Sequence, residues 1–153
     1  MGKIKYVDGD ATRPRGEGKK IIVHCCNSVG LWGAGFVLAL SKRWKEPEEF
    51  YRSVPIEELK LGNVQIVQVE PDIIVANMIG QKGVGYSPEG QPPIRYNAIR
   101  TALITVNKLA VEIGATIHAP KFGSDLAGGS WEEIEKIIKE TMTVDVTIYI
   151  YKP

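Results

Sequence analysis

The sequence predicts an α/β protein: a three-layer α/β/α sandwich around a mixed central sheet. Three observations carry this. Residues 20–26 (KIIVHCC) form a continuous apolar run, the mark of a strand buried on both faces. Tyr96, Ile99, Leu103, Val106, Ala110 and Ile113 recur at spacings of three and four, an amphipathic helix closed by Gly114. Strand-like and helix-like segments alternate along the chain, which places helices on both faces of a sheet.

Residues 3–8 (KIKYVD) alternate and meet Gly9-Asp10, a strand and then a turn. The buried strand 20–26 leads into a glycine-rich stretch at 30–35, then a helix through Trp44 and a shorter one over 46–53 with Pro47 in its first turn. Strands at 63–69 and 73–78 are divided by Pro71-Asp72, close enough to pair as a hairpin or to lie near one another. Four Gly and three Pro in 80–93 predict a long surface loop. After the 96–113 helix comes a short strand at 115–119, ended by Pro120 and a loop through Gly129. Ser130 and Glu133 form the pattern of a capping box, opening a helix with Trp131, Ile134 and Ile138 on its apolar face. Strand 145–151 closes the order β-β-α-(α)-β-β-α-β-α-β. With no repeat and no low-complexity linker, residues 1–153 read as one domain.

Composition narrows the function. Lys plus Arg is 19 and Asp plus Glu 18, a net charge of +1, which disfavours a nucleic-acid or polyanion binder. No apolar run reaches the ~20 residues of a membrane span. The start MGKIKYVDGD has no signal-peptide core, so the expectation is a cytoplasmic monomer without a membrane partner. Cys25 and Cys26 are adjacent, point to opposite faces of a strand, and read as buried thiols. With His24 and His118 far apart and no second cysteine pair, no metal site and no cofactor are expected. His118, before Pro120 on a short strand, reads as packing.

Sixteen glycines and nine prolines are the unusual feature, and their positions matter. Gly9-Asp10-Ala11-Thr12, Asn27 to Phe36 and Lys121 to Gly129 each leave the end of a strand, where ligands of open α/β sheets bind. Glycine allows backbone amides close to an anion, and a following helix N-terminus adds a favourable dipole. Two such loops running into helices suit a ligand with more than one phosphate, or a phosphate and a sugar. The spacing Gly30-x-x-Gly33-x-Gly35 is not the dinucleotide fingerprint, and there is no Walker motif.

The run His24-Cys25-Cys26-Asn27-Ser28-Val29-Gly30-Leu31-Trp32-Gly33-Ala34-Gly35 resembles the signature of macro domains, the ADP-ribose-binding modules. Gly9-Asp10-Ala11-Thr12 resembles their first-strand motif, and Pro120 to Gly129, with Trp131 behind it, their last ligand loop. The likeness spans nearly the whole chain. It is strongest to the branch of the yeast ADP-ribose 1''-phosphate phosphatase and the terminal ADP-ribose protein glycohydrolases.

The resemblance implies roles position by position. Asp10, with Ala11 beside it, matches the carboxylate that takes the adenine amino group. Asn27 matches the residue that addresses the distal ribose, and Gly33, Ala34, Gly35 and Phe36 the loop wrapping that ribose and a phosphate. Gly123, Ser124, Asp125, Leu126 and Ala127 match the loop cradling the diphosphate, and Gln81 borders the distal site. His24, Asn27 and Asp125 are the catalytic candidates: His24 titrates nearest neutral pH, and Asp125 is placed to orient water. The residues alone leave other roles open. These are a turn cap for Asp10, a turn residue for Asn27, a satisfied core histidine for His24 and a solvated carboxylate for Asp125.

The implied activity is a hydrolase, a metal-free phosphatase that converts ADP-ribose 1''-phosphate to ADP-ribose and phosphate. The alternatives are a non-catalytic ADP-ribose reader, which would hold ADP-ribosylated protein, and a glycohydrolase that removes ADP-ribose from glutamate or nucleic acid. Where that glycohydrolase carries a catalytic lysine and aspartate, this chain has Gln81 and Ala127, with Lys82 one residue late. That departure disfavours a lysine-dependent covalent mechanism.

Overall fold

The structure, a computed structural model, describes residues 2–124 and 127–152. Six strands form one sheet in the order β1-β6-β5-β2-β4-β3. They are β1 (Ile4–Asp8), β2 (Lys20–Asn27), β3 (Val64–Glu70), β4 (Ile73–Gln81), β5 (Thr116–Pro120) and β6 (Val146–Ile150). The pairings β1·β6, β6·β5, β5·β2 and β2·β4 are parallel. β3 is antiparallel to β4, with Val64 opposite Met78 and Val67 opposite Val75, so the two runs divided by Pro71-Asp72 make a hairpin at the sheet edge.

Four helices cover the two faces: α1 (Phe36–Arg43), α2 (Glu46–Ser53), α3 (Tyr96–Ile113) and α4 (Trp131–Thr141). Alternation along β2 assigns the layers. Ile21 and Val23 pack with Ile99, Leu103, Val106, Ile134 and Ile138 under α3 and α4. Ile22 and Cys26 face the other way, onto Trp32, Leu40 and Tyr51 under α1 and α2. The core is therefore two apolar layers separated by the sheet, as the α/β/α expectation requires. Cys25 and Cys26 are free thiols on opposite faces.

Three local expectations change. First, β4 runs on to Gln81, so Gly80 and Gln81 belong to a strand and the irregular loop begins after them. Packing explains the glycine at 80: a Cβ there would stand 2.6 Å from Cys25 Sγ and 2.9 Å from Ile99 Cγ1. Gln81 then pairs with Ile94 in an isolated antiparallel bridge, which pins the far end of the loop. Second, only half of the capping box forms. Ser130 Oγ accepts from the Glu133 amide at 3.5 Å, while the Ser130 amide donates to Tyr96 Oη at 2.9 Å instead of to the Glu133 carboxylate. Third, a turn of 3-10 helix at Ile56–Glu58 comes after α2 without a clear sequence signal beyond Pro55.

Candidate ligand-binding site

A cleft of about 830 Å³ runs along the carboxyl ends of β4, β2, β5 and β6. This size falls within the usual range for small-molecule sites. The second and third glycine loops form its walls. Of the residues expected at the site, His24, Asn27, Gly33, Ala34, Gly35, Phe36, Gln81, Gly123 and Ala127 line it. Ala11 is buried, and Asp10, Ala11 and Ser124 stand outside its wall. Asp125 and Leu126 lie outside the described residues.

Asn27 ends β2 at a register shift opposite Gln81, and its carboxamide organises the turn beyond the strand. Nδ2 donates to Leu31 O at 2.7 Å, and Oδ1 accepts from the Val29 and Leu31 amides, both at 3.1 Å. From α2, the Tyr51 hydroxyl reaches Asn27 O at 2.6 Å and Oδ1 at 2.8 Å. This side chain holds the turn at 28–31 closed. The turn-residue role left open by the sequence is thus present, and one Nδ2 hydrogen stays outside these contacts.

Past that turn, Trp32 is tied down by a closed hydrogen-bond circuit. Its indole Nε1 donates to Ser41 Oγ (2.8 Å), and Ser41 donates to Glu48 Oε1 (2.9 Å). Arg52 Nε donates to Glu48 Oε2 (2.8 Å), and Arg52 Nη2 donates back to Trp32 O (3.2 Å). α1 then begins behind Gly35, whose φ of +78° suits glycine. Its first turn has no side-chain cap and no acidic residue; the Leu38 amide donates to Gly35 O (3.1 Å), while Phe36 and Val37 line the cleft, so the positive dipole end of α1 lies at the Gly33–Phe36 side.

The opposite wall is held by its own backbone. The Gly129 amide donates to Gly123 O (2.9 Å), and the Ile94 amide to Ala127 O (3.1 Å). Gly123 adopts φ +76°, and Gly129 lies so close to Gly123 O that a Cβ would stand 2.3 Å from it. At the β6 end, the Gly9 amide donates to Ile150 O (2.9 Å), which brings the Asp10 turn beside Ile150 and Tyr151 of the cleft. Asp10 Oδ1 caps its own turn, accepting from the Thr12 amide (2.8 Å) and the Thr12 hydroxyl (2.7 Å). Both contacts fall on one carboxylate oxygen.

His24 is at the floor, 1% exposed, with Nε2 2.5 Å from Asn77 Oδ1 and its ring edge-on to Trp32. Burial pushes its pKa down to about 4. The expected titrating catalyst is therefore a neutral core imidazole at pH 7, because β2 turns this position under Trp32 and Phe36. His118 is likewise buried, between Thr116 Oγ1 and Tyr149 Oη, both at 2.8 Å, and burial together with Lys20 and Lys5 pushes it to about 4. Burial pushes the Cys25 thiol up to about 12 and the Cys26 thiol well above its ordinary value, so neither is a ready nucleophile.

Among the described lining residues only Arg52 and Lys121 are cationic, and none is acidic. No group of three or more His, Cys, Asp or Glu among the described residues is arranged to hold a metal, and no described helix is long and apolar enough to cross a membrane. Lys82 does not line the cleft. Sequence reasoning missed Arg52 and Tyr149. They sit on a helix and a strand to which it assigned no site role, and only the fold brings them to the cleft.

No protein-family model matches the chain. Among solved structures, a Bacteroides thetaiotaomicron protein of unknown function is 49% identical, with a TM-score of 0.93, covering 97% of this chain and 98% of that one. A macrodomain protein from Streptomyces coelicolor is 45% identical, with a TM-score of 0.84, covering 98% of this chain and all of that one (100%). Among curated relatives, the Danio rerio chromodomain-helicase-DNA-binding protein 1-like is 30% identical over 97% of this chain, which spans only 16% of that protein's length. The ADP-ribose 1''-phosphate phosphatase of Meyerozyma guilliermondii is 23% identical over 98% of this chain and 99% of its own. With 45% identity to a macrodomain protein covered end to end, and the macro-type loops lining one cleft, this chain belongs to the macrodomain family.

Proposed function

We propose that the cleft binds ADP-ribose and that the domain is a hydrolase releasing phosphate from ADP-ribose 1''-phosphate. The observation that carries the reading is the convergence of Gly33–Phe36 with Gly123 and Ala127 on one cleft that has few charges among its described lining residues. Amides and a helix end are suited to a nucleoside diphosphate, since they supply donors without a surplus of lysine or arginine. The activity of the Meyerozyma relative, aligned over nearly the full length of both chains, supports the phosphomonoester as substrate.

In this reading adenine lies at the β6 end, its amino group donating to Asp10. The diphosphate rests on the Gly123–Ala127 loop, and the distal ribose sits between Asn27, Gln81 and the Gly33–Phe36 turn. Water adds to phosphorus, the bond from phosphorus to the C1'' oxygen breaks, and that oxygen takes a proton, leaving ADP-ribose and inorganic phosphate. With His24 buried and neutral, the step rests on donors that stabilise charge on the phosphoryl oxygens rather than on a histidine base. These are the Asn27 Nδ2–H, the α1 amides and Gln81, with Asp125 the candidate that orients the water.

One observation favours a second reading, a reader that holds ADP-ribose without turnover. Both histidines and both thiols of the described chain are shielded and held away from reactivity near pH 7. Purified protein would be offered ADP-ribose 1''-phosphate and glutamate-ADP-ribosylated protein in parallel, with phosphate and ADP-ribose release measured and free ADP-ribose titrated by calorimetry. Phosphate release supports the phosphatase. Binding without any product leaves the reader, and ADP-ribose release from protein alone would overturn the phosphatase in favour of a glycohydrolase. Asp10→Asn keeps the Thr12 cap but removes the charged acceptor, and is expected to weaken ADP-ribose by about 1–3 kcal/mol.

A further inference from the structure

We propose that Arg52 is the residue that distinguishes a ligand phosphorylated on its distal sugar from the unphosphorylated one. The inference rests on the ADP-ribose reading of the cleft and adds a specificity determinant to it. Arg52 lies in the last turn of α2 and lines the cleft, bonded to Trp32 O of the loop that leaves β2. Lys121, the other cation of the described lining, comes after β5 towards the opposite end. With the diphosphate on the Gly123–Ala127 loop, the group beyond the distal ribose is the one that comes up against Arg52.

The guanidinium is held ready for an anion. A guanidinium has five N–H donors in a fixed plane. Among the described residues, two are engaged: Nε to Glu48 and one Nη2 hydrogen to Trp32 O. Three remain on the two Nη nitrogens, donors of the kind that pair with the oxygens of a phosphate. Glu48 is itself fixed by Ser41, which is fixed by the Trp32 indole, so the circuit through loop, α1 and α2 restrains the head. That restraint lowers the entropy lost when the anion binds. The side chain is also 49% exposed at the cleft mouth, so an incoming phosphomonoester reaches it without displacing core residues.

The contrast within the cleft strengthens the assignment. The wall at Gly123 and Ala127 has no side chain that would tell apart ligands by a group carried beyond the ribose. At the distal end, the turn at 28–31 spends most of the Asn27 carboxamide on its own backbone. A dianion there needs a cation, and Arg52 is the one the described lining supplies at that end. Glu48 takes the Nε–H, so its charge orients the guanidinium while, among the described contacts, the Nη1 hydrogens stay available.

The test is a ratio of affinities, read by rapid competition against a fluorescent ADP-ribose tracer before any turnover. Wild-type protein should hold ADP-ribose 1''-phosphate roughly ten- to a hundredfold tighter than ADP-ribose at low salt, as charge-assisted bonds to a phosphate imply. Arg52→Gln should bring that ratio close to one, and Arg52→Lys, which keeps the charge but loses the fork, should give an intermediate value. Tracer binding by each variant shows that it is folded. A ratio near one in the wild type, or one that Arg52→Gln leaves intact, would overturn the inference while the ADP-ribose reading stands. Failure of the wild type to bind the tracer or ADP-ribose at all would instead remove the reading on which it rests.

Discussion

Asn27→Ala gives the sharpest measure of how the distal wall is built. The side chain serves two backbone amides, one carbonyl and the Tyr51 hydroxyl. Truncation leaves Tyr51 its bond to Asn27 O but strands Val29 N, Leu31 N and Leu31 O. Leu31 is 55% exposed, so water replaces part of what is lost. At roughly 1 kcal/mol for each of the three groups, the expected loss is about 3 kcal/mol. For a domain of this length that lowers Tm by roughly 6–12 °C. Asn27→Asp keeps the acceptor but sets a carboxylate oxygen against Leu31 O at a buried position, so it should also melt below wild type. A double-mutant cycle with Tyr51→Phe should show coupling, since Tyr51 contacts the deleted carboxamide directly. Thermal melts of the wild type, the three single variants and the Asn27→Ala/Tyr51→Phe double variant provide the readout. An Asn27→Ala variant melting within about 2 °C of wild type would refute the claim that this side chain organises the wall.

The buried groups and the glycine wall give two further expected outcomes. His24 and His118 titrate near 6.5 when unfolded and are pushed to about 4 in the fold, so below pH 6.5 the unfolded chain binds protons that the folded chain does not. Stability is therefore full above pH 6.5 and declines as pH falls towards 4, by roughly 2–4 kcal/mol for the two together between pH 7 and 5. Urea unfolding of wild type and of the His24→Gln/His118→Gln double variant at both pH values checks this, and an unchanged pH slope in the double variant would contradict it. Gly123→Ala forces a side chain into φ +76° with its Cβ 2.7 Å from Ile94 Cδ1 and 3.0 Å from Ile134 Cδ1. It should lose about 1–3 kcal/mol of stability and weaken ADP-ribose at least tenfold in calorimetry; wild-type affinity would mean that this wall does not carry the diphosphate.

Periodicity made the sheet and helices legible, because a strand buried on both faces and an amphipathic helix leave different spacings in the chain. β2, α3 and β6 fall within a residue or two of their expected bounds. The glycine loops were legible as well, since three of them leave strand ends where ligands of open α/β sheets bind. What the sequence did not disclose depended on a strand face or on a distant element. His24 and Asn27 are three positions apart on one strand, and only the packed layers show His24 under Trp32 and Asn27 at the strand exit. Gly80 and Gln81 looked like loop because glycine weakens a strand, yet Cys25 and Ile99 leave no room at 80 for anything larger. Nothing in the sequence singled out Arg52; the Trp32–Ser41–Glu48 circuit brings its head to the cleft.

The central claim is a nucleotide site gripped mainly by main chain, and calorimetric titration with ADP-ribose at low and high salt tests it most directly. The account predicts one-to-one binding whose affinity changes little with salt, because amides and a helix end within a cleft are screened far less than surface cations. Absence of binding, or an affinity that collapses as salt is raised, would contradict it.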